Sequence, residues 1–105
     1  MKIDCQRLYA LLTDIPRGMV MTYGTLAKQL GDVRLARAVG NALHKNPDGE
    51  RYPCYKVVNS RGELSRAYAF GGIEEQKRRL EAEGISVVRG KVDLAVYGFK
   101  PEKTS

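Results

Sequence analysis

The amino-acid sequence predicts a mainly α-helical domain with small β hairpins, arranged as a winged-helix-like helix-turn-helix. Three observations carry that expectation. They are an amphipathic N-terminal stripe, a short and a longer helix separated by a glycine turn, and hairpin signals at Ser60-Arg61-Gly62 and Arg89-Gly90. The 105 residues suit one domain over 1–105, and 43% hydrophobic with 29% charged residues argues against wholesale disorder.

The elements follow in order. Leu8, Leu11, Leu12 and Ile15 stand at i, i+3, i+4 and i+7, which makes 4–14 an amphipathic helix. Ile15-Pro16-Arg17-Gly18 ends it, because proline lacks an amide donor and biases its predecessor away from helical angles. Thr22 and Thr25 offer capping hydroxyls to a short helix bearing Leu26, Ala27 and Leu30, and Gly31 stops it. Over 33–45 a longer helix is expected, with Leu35, Ala36, Val39, Ala42 and Leu43 on one face. Its other face carries Arg34, Arg37, Asn41 and His44 and no acidic side chain. Gly40 costs this helix about 1 kcal/mol relative to alanine, a cost that close approach of another backbone would justify.

Asn46-Pro47-Asp48-Gly49 is turn chemistry, and 52–59 reads as an extended segment entering a small hairpin at Ser60-Arg61-Gly62. A loop of small residues over 67–72 precedes a polar helix over about 73–83, ended by Gly84. A second hairpin joins Val87-Val88 to Lys91-Val92-Asp93, and the tail after Gly98 is expected to fray. Cys5 is expected to pack within the first helix.

Charge narrows the function classes. Eighteen Lys and Arg oppose twelve Asp and Glu, and the excess is central: 17–66 holds nine basic and four acidic residues. Such a balance favours a polyanion, nucleic acid before membrane, although a solvated basic surface would look the same. No apolar run approaches the roughly 18 residues of a membrane span. With two distant cysteines, one histidine and no apolar signal segment, neither metal nor disulfide scaffold nor cofactor is expected, and the setting fits the cytoplasm. A helix pair with a basic outer face fits DNA binding, and an ordinary packed helical hairpin is the plainer alternative.

Several runs together resemble one family. Ile15-Pro16-x-Gly18-x-Val20-x-Thr22-Tyr23-Gly24-x-Leu26-Ala27 comes first, followed by Ala36-Arg37-Ala38-Val39-Gly40-x-Ala42 and Asn46-Pro47. Pro53-Cys54-x-x-Val57, Gly71-Gly72 and Leu80-x-x-Glu83-Gly84 complete the match over about 4–85. This order resembles the C-terminal domain of O6-alkylguanine-DNA alkyltransferases, without the N-terminal domain many members carry. The family includes small alkyltransferase-like proteins with tryptophan in place of the acceptor cysteine.

The resemblance implies a monomer on double-stranded DNA carrying O6-alkylguanine, nucleoid-associated if the source is bacterial or archaeal. The second helix of the motif would enter the minor groove. Arg37 would replace the flipped nucleotide, Tyr23 would rotate the 3′ phosphate, and Arg34, Ala38, Gly40, Asn41 and Lys45 would complete the DNA-binding set. Asn46, Pro53, Val57 and Tyr68 would form the lesion pocket, with the carbonyls of Cys54 and Val57 reading the base edge. Cys54 would accept the alkyl group in one irreversible turnover, assisted by Tyr55 and Glu83. A soft thiolate suits displacement at carbon, and extrusion is needed because O6 is out of its reach within the stack.

Two substitutions depart from the pattern. Active members usually read Pro-Cys-His-Arg-Val, where this chain has Tyr55 and Lys56. A phenol of pKa near 10 is a poor base at neutral pH, and lysine lacks arginine's bidentate fork. Three readings stay open: a single-turnover transferase, a lesion-binding protein that flags O6-alkylguanine for downstream repair proteins, and a general regulatory DNA binder.

Overall fold

The computed structural model describes residues 3–45, 51–64 and 72–100. Helix α1 (Cys5–Thr13) starts where the Asp4 carboxylate accepts the Arg7 amide at 3.1 Å. Leu8, Leu12 and Ile15 are buried, so the stripe read from the sequence is the face that packs. Strand β1 (Met21–Thr22) leads into α2 (Tyr23–Gln29), which Thr22 caps by accepting the Thr25 amide. A tight 3-10 turn (Val33–Leu35) then precedes α3 (Ala36–His44). The continuous helix expected over 33–45 is therefore corrected. Asp32 accepts the Arg34 amide at 2.8 Å and winds the first turn too tightly to be α-helical.

The segment expected to be extended over 52–59 is also different. Pro53 lies at φ −75° and ψ 69°, and the Cys54 amide donates to the Tyr52 carbonyl at 2.7 Å. That is an inverse γ-turn, which proline's restricted φ favours. A 3-10 turn (Cys54–Lys56) follows, and only β2 (Val57–Val58) is strand. β2 pairs in parallel with β1, Met21 opposite Val57 and Thr22 opposite Val58. The turn expected at Ser60-Arg61-Gly62 forms, with the Asn59 amide donating to the Glu63 carbonyl at 3.2 Å, but among the described residues no strand after it pairs with β2. Asn59 accepts the Arg61 and Glu63 amides and turns the chain, so that Glu63 bridges Lys91 instead. Gly62 is required in this turn: its φ is +81°, and a Cβ would fall 2.1 Å from the Val92 carbonyl oxygen.

Helix α4 (Gly72–Ala82) is followed by the second hairpin as expected, β3 (Val87–Val88) antiparallel to β4 (Lys91–Val92). A short α5 (Leu94–Tyr97), capped by Asp93, was not foreseen. Of the tail expected to fray after Gly98, residues 101–105 lie outside the described residues, but Phe99 is held. Val20 donates to Tyr97 at 2.8 Å and accepts from Phe99 at 2.7 Å, and Phe99 packs against the core.

Two hydrophobic clusters result. The first joins Leu8, Leu12, Met21, Leu26, Val39, Leu43, Cys54 and Val57, so the helix-turn-helix and the cysteine turn share one interior. The second gathers Val20, Val58, Leu64, Leu80, Ile85 and Val92 beneath the hairpin. Among the described residues no helix is long and apolar enough to cross a membrane.

Candidate functional site

α3 presents two faces because its apolar residues recur at helical spacing. Val39, Ala42 and Leu43 are buried, while Arg37 and Asn41 are exposed beside half-buried Ala38 and Gly40. Lys45, just beyond the helix, is exposed as well. Arg34 projects into solvent, but its guanidinium pairs with Asp32 at 2.7 Å. Thus the expected acid-free face has a counter-charge from the preceding turn, and the bond holds the Asp32 carboxyl below its ordinary range.

Tyr23 opens α2 and is half-buried, with its ring 3.9 Å from where a Gly40 Cβ would lie. That is ordinary van der Waals distance, so packing alone would accept alanine at position 40. Asn46 and Tyr68 lie outside the described residues.

Cys54 is 6% exposed at the head of its 3-10 turn, in one cluster with the inner face of α3. Beside it, the Tyr9 and Tyr52 rings stack at 4.6 Å with the Arg51 guanidinium over Tyr52, and the Tyr9 hydroxyl donates to the Ala42 carbonyl at 3.4 Å. Burial first, then the neighbouring Cys5, Cys54 and Tyr52, pushes the Tyr9 phenol above its usual value. Cys5 itself is exposed, which corrects the expectation that it packs inside the helix; it shares the face of Leu8 and Leu12 by spacing but is the first residue of α1, a turn before the first buried side chain.

The carbonyls expected to read a base edge already have donors. The Cys54 carbonyl accepts the Val57 amide, and the Val57 carbonyl accepts Gln76 Nε2 at 3.2 Å. A carbonyl oxygen has two lone pairs, so one donor does not by itself exclude another. Pro53, half-buried, shapes a turn rather than holding a strand.

Behind the cysteine turn lies a buried polar hub. The Tyr55 hydroxyl donates to Glu83 Oε2. Glu83 Oε1 accepts the Gly18 amide at 3.0 Å and pairs with Lys56 Nζ, also at 3.0 Å. Lys56, 3% exposed, further donates to the carbonyls of Pro16 at 2.7 Å and Ile15 at 3.2 Å. Burial pushes the Glu83 carboxyl up, but Tyr55, the Gly18 amide and Lys56 together outweigh it and hold the group below its usual range. The Ile15-Pro16-Arg17-Gly18 turn thus supplies the backbone groups of the hub, and Arg17 ties it to the Ala82 carbonyl at 3.3 Å.

The family resemblance paired Tyr55 with Glu83, and the two are hydrogen-bonded; neither Lys56 as interior nor Gln76 as a partner was expected. Gln76 stands between Ile73 and Leu80 at i+3 and i+7, a polar residue on an apolar stripe, and that was the available signal. The Lys77-Arg78-Arg79 run faces outward in part, with Arg78 and Arg79 both on Glu75, whose carboxyl they hold down at about 2.

Comparison with known proteins places this geometry. The family described as 6-O-methylguanine DNA methyltransferase, DNA binding domain, matches residues 5–85. A bifunctional methyltransferase/endonuclease of Picrophilus torridus is 52% identical over 92 residues, covering 88% of this chain; the chain spans only 30% of that longer protein. A DNA base-flipping protein of Vibrio parahaemolyticus is 41% identical over 96 residues, covering 90% of this chain and 94% of its own length. Among solved structures, Schizosaccharomyces pombe Atl1 in complex with damaged DNA containing O6-carboxymethylguanine superimposes with a TM-score of 0.85. It is 34% identical, and the match covers 96% of this chain and all of that one.

Proposed function

The chain belongs to the family of the 6-O-methylguanine DNA methyltransferase DNA-binding domain, and from that premise we propose that it binds double-stranded DNA, turns out an O6-alkylated guanine and takes the alkyl group onto Cys54. One observation carries the reading: Cys54 shares a core cluster with the inner face of α3 while Arg37 stands exposed on the outer face. A helix inserted in the minor groove through Arg37, with Tyr23, Arg34, Ala38, Gly40, Asn41 and Lys45 around it, would bring an extruded base toward the cysteine turn. Asn46, Pro53, Val57 and Tyr68 are the residues proposed to receive it.

The chemistry balances without a cofactor. The Cys54 sulfur forms a bond to the alkyl carbon as the carbon–O6 bond breaks. The thiol proton is lost and guanine regains one at N1, leaving a thioether and an ordinary base. Tyr55 cannot take that proton as an imidazole would, since its own hydroxyl is committed to Glu83. Glu83 accepts three donors and is held anionic, so its role is to orient Tyr55 and Lys56.

That same commitment favours a second reading, in which the protein holds the lesion for other repair proteins and transfers nothing. Incubation with a duplex containing O6-methylguanine, followed by intact mass measurement, separates the two. A stoichiometric gain of about 14 Da (one methyl for one hydrogen), absent in Cys54→Ala, is the expected result. No gain, with lesion binding intact, would leave the lesion-holding reading in its place. Equal affinity for damaged and plain duplex would overturn both.

A further inference from the structure

We infer that Gln76 is a positioning residue for the Cys54 turn, acting through both hydrogens of its carboxamide. It is 1% exposed, and Nε2 donates to the Tyr55 carbonyl at 3.0 Å and to the Val57 carbonyl at 3.2 Å. An amide nitrogen has two N–H groups, so both are used, one on each side of Lys56. Packing alone would ask for an aliphatic side chain here, because Leu80, one turn on, is fully buried and α4 buries only these two side chains. A buried amide is tolerated because its donors are satisfied, and the two acceptors it satisfies would otherwise lose a partner in the interior.

The geometry explains why this matters for the cysteine. The segment changes from 3-10 turn to strand at Val57, so the carbonyls of Tyr55 and Val57 belong to two different backbone conformations. Gln76 bridges that change. Arg79 of α4, 5.9 Å over the Tyr55 ring, and Glu83, the first residue past the helix, on the Tyr55 hydroxyl and the Lys56 ammonium, hold the same segment again. Cys54 heads a turn whose following residues are clamped from α4 and the residue that follows it. Displacement at carbon needs sulfur, carbon and O6 in line, and small errors of placement are costly.

The inference rests on Cys54 as the alkyl acceptor, and its test separates the two ideas. The background is Cys5→Ser, since the exposed Cys5 thiol would compete for reagents. Gln76→Leu keeps the volume and removes both donors; Gln76→Met serves if the branched side chain unfolds the domain. Three quantities are read: lesion-duplex Kd, the methyl-transfer rate constant at saturating protein, and the rate at which iodoacetamide modifies Cys54. Expected are a Kd within about threefold of the parent and a transfer constant lower by roughly tenfold or more. Iodoacetamide should modify Cys54 about fivefold faster, as the loosened turn exposes its sulfur. Unchanged transfer and labelling would overturn the inference, and so would equal losses in binding and rate. Should the parent accept no methyl group, the transfer reading fails by itself; faster labelling of Gln76→Leu would still uphold Gln76 as the clamp, and unchanged labelling would not.

Discussion

Lys56 and Arg37 are two cations of the same basic stretch with opposite fates. Lys56 is 3% exposed, with its ammonium on two backbone carbonyls and the Glu83 carboxylate. Arg37 stands in solvent on α3. The difference teaches that the central charge excess is not one surface. Arg34 is matched by Asp32, Arg61 lies 3.8 Å from Glu63, and Arg17 reaches the Ala82 carbonyl. Part of the positive charge therefore holds the domain together, while Lys28, Arg37 and Lys45 of the same stretch stand exposed.

The largest effect expected from this contrast is inside. Glu83→Gln would leave the Lys56 ammonium buried without its counter-charge, at a cost of about 3–5 kcal/mol, read from urea unfolding. A double variant Lys56→Met/Glu83→Gln should be less destabilised than the two singles added together, because they share one interaction. An additive result would deny the hub its coupling. The pH dependence follows with its sign. The folded Glu83 carboxyl titrates below its usual value, so its contribution is complete above about pH 4.5 and is lost as pH falls through the folded value. Acid unfolding of Glu83→Gln should accordingly be shallower in that range.

Next comes the outer face. Arg37→Ala should weaken lesion-duplex binding by about tenfold, with a much smaller change for Lys77→Ala on α4. Equal losses would mean that α3 is not the helix that enters the groove. Binding should also weaken steeply with salt, and the Arg37 variant should show a flatter salt slope.

Two smaller tests sharpen the comparison. Gly40→Ala should raise stability by roughly 0.5–1 kcal/mol, since the new methyl meets Tyr23 only at ordinary contact distance. The same change should reduce DNA affinity if Tyr23 and Gly40 both approach the duplex; unaltered affinity would remove position 40 from the interface. Tyr55→His, which restores a side chain titrating near neutrality, should raise the methyl-transfer rate at pH 7. No increase would show that the phenol is not what limits the reaction.

Much of the architecture was legible before any coordinates. The stripe Leu8, Leu12 and Ile15 packs as its spacing implied, Thr22 caps α2, and Arg89-Gly90 turns the hairpin with both residues at positive φ. The Tyr55–Glu83 contact, 28 residues apart, was implied by the family resemblance and not by local propensity. What escaped was non-local. The β1–β2 pair joins segments some 36 residues apart through two residues on each side, too short for an alternating pattern. Likewise Phe99 is held by Val20, a contact that nothing near the C-terminus announces.

The sequence by itself determined the helices, their apolar faces and the excess of positive charge, because these follow from spacing, capping and composition within a few turns of chain. Only the tertiary structure decided which cation is internal, which carbonyls are occupied and what grips the cysteine turn. The physical reason is that an ammonium or an amide can be buried only where acceptors from distant segments converge on it, and that convergence at Ile15, Pro16, Tyr55, Val57 and Glu83 is a property of the packed chain.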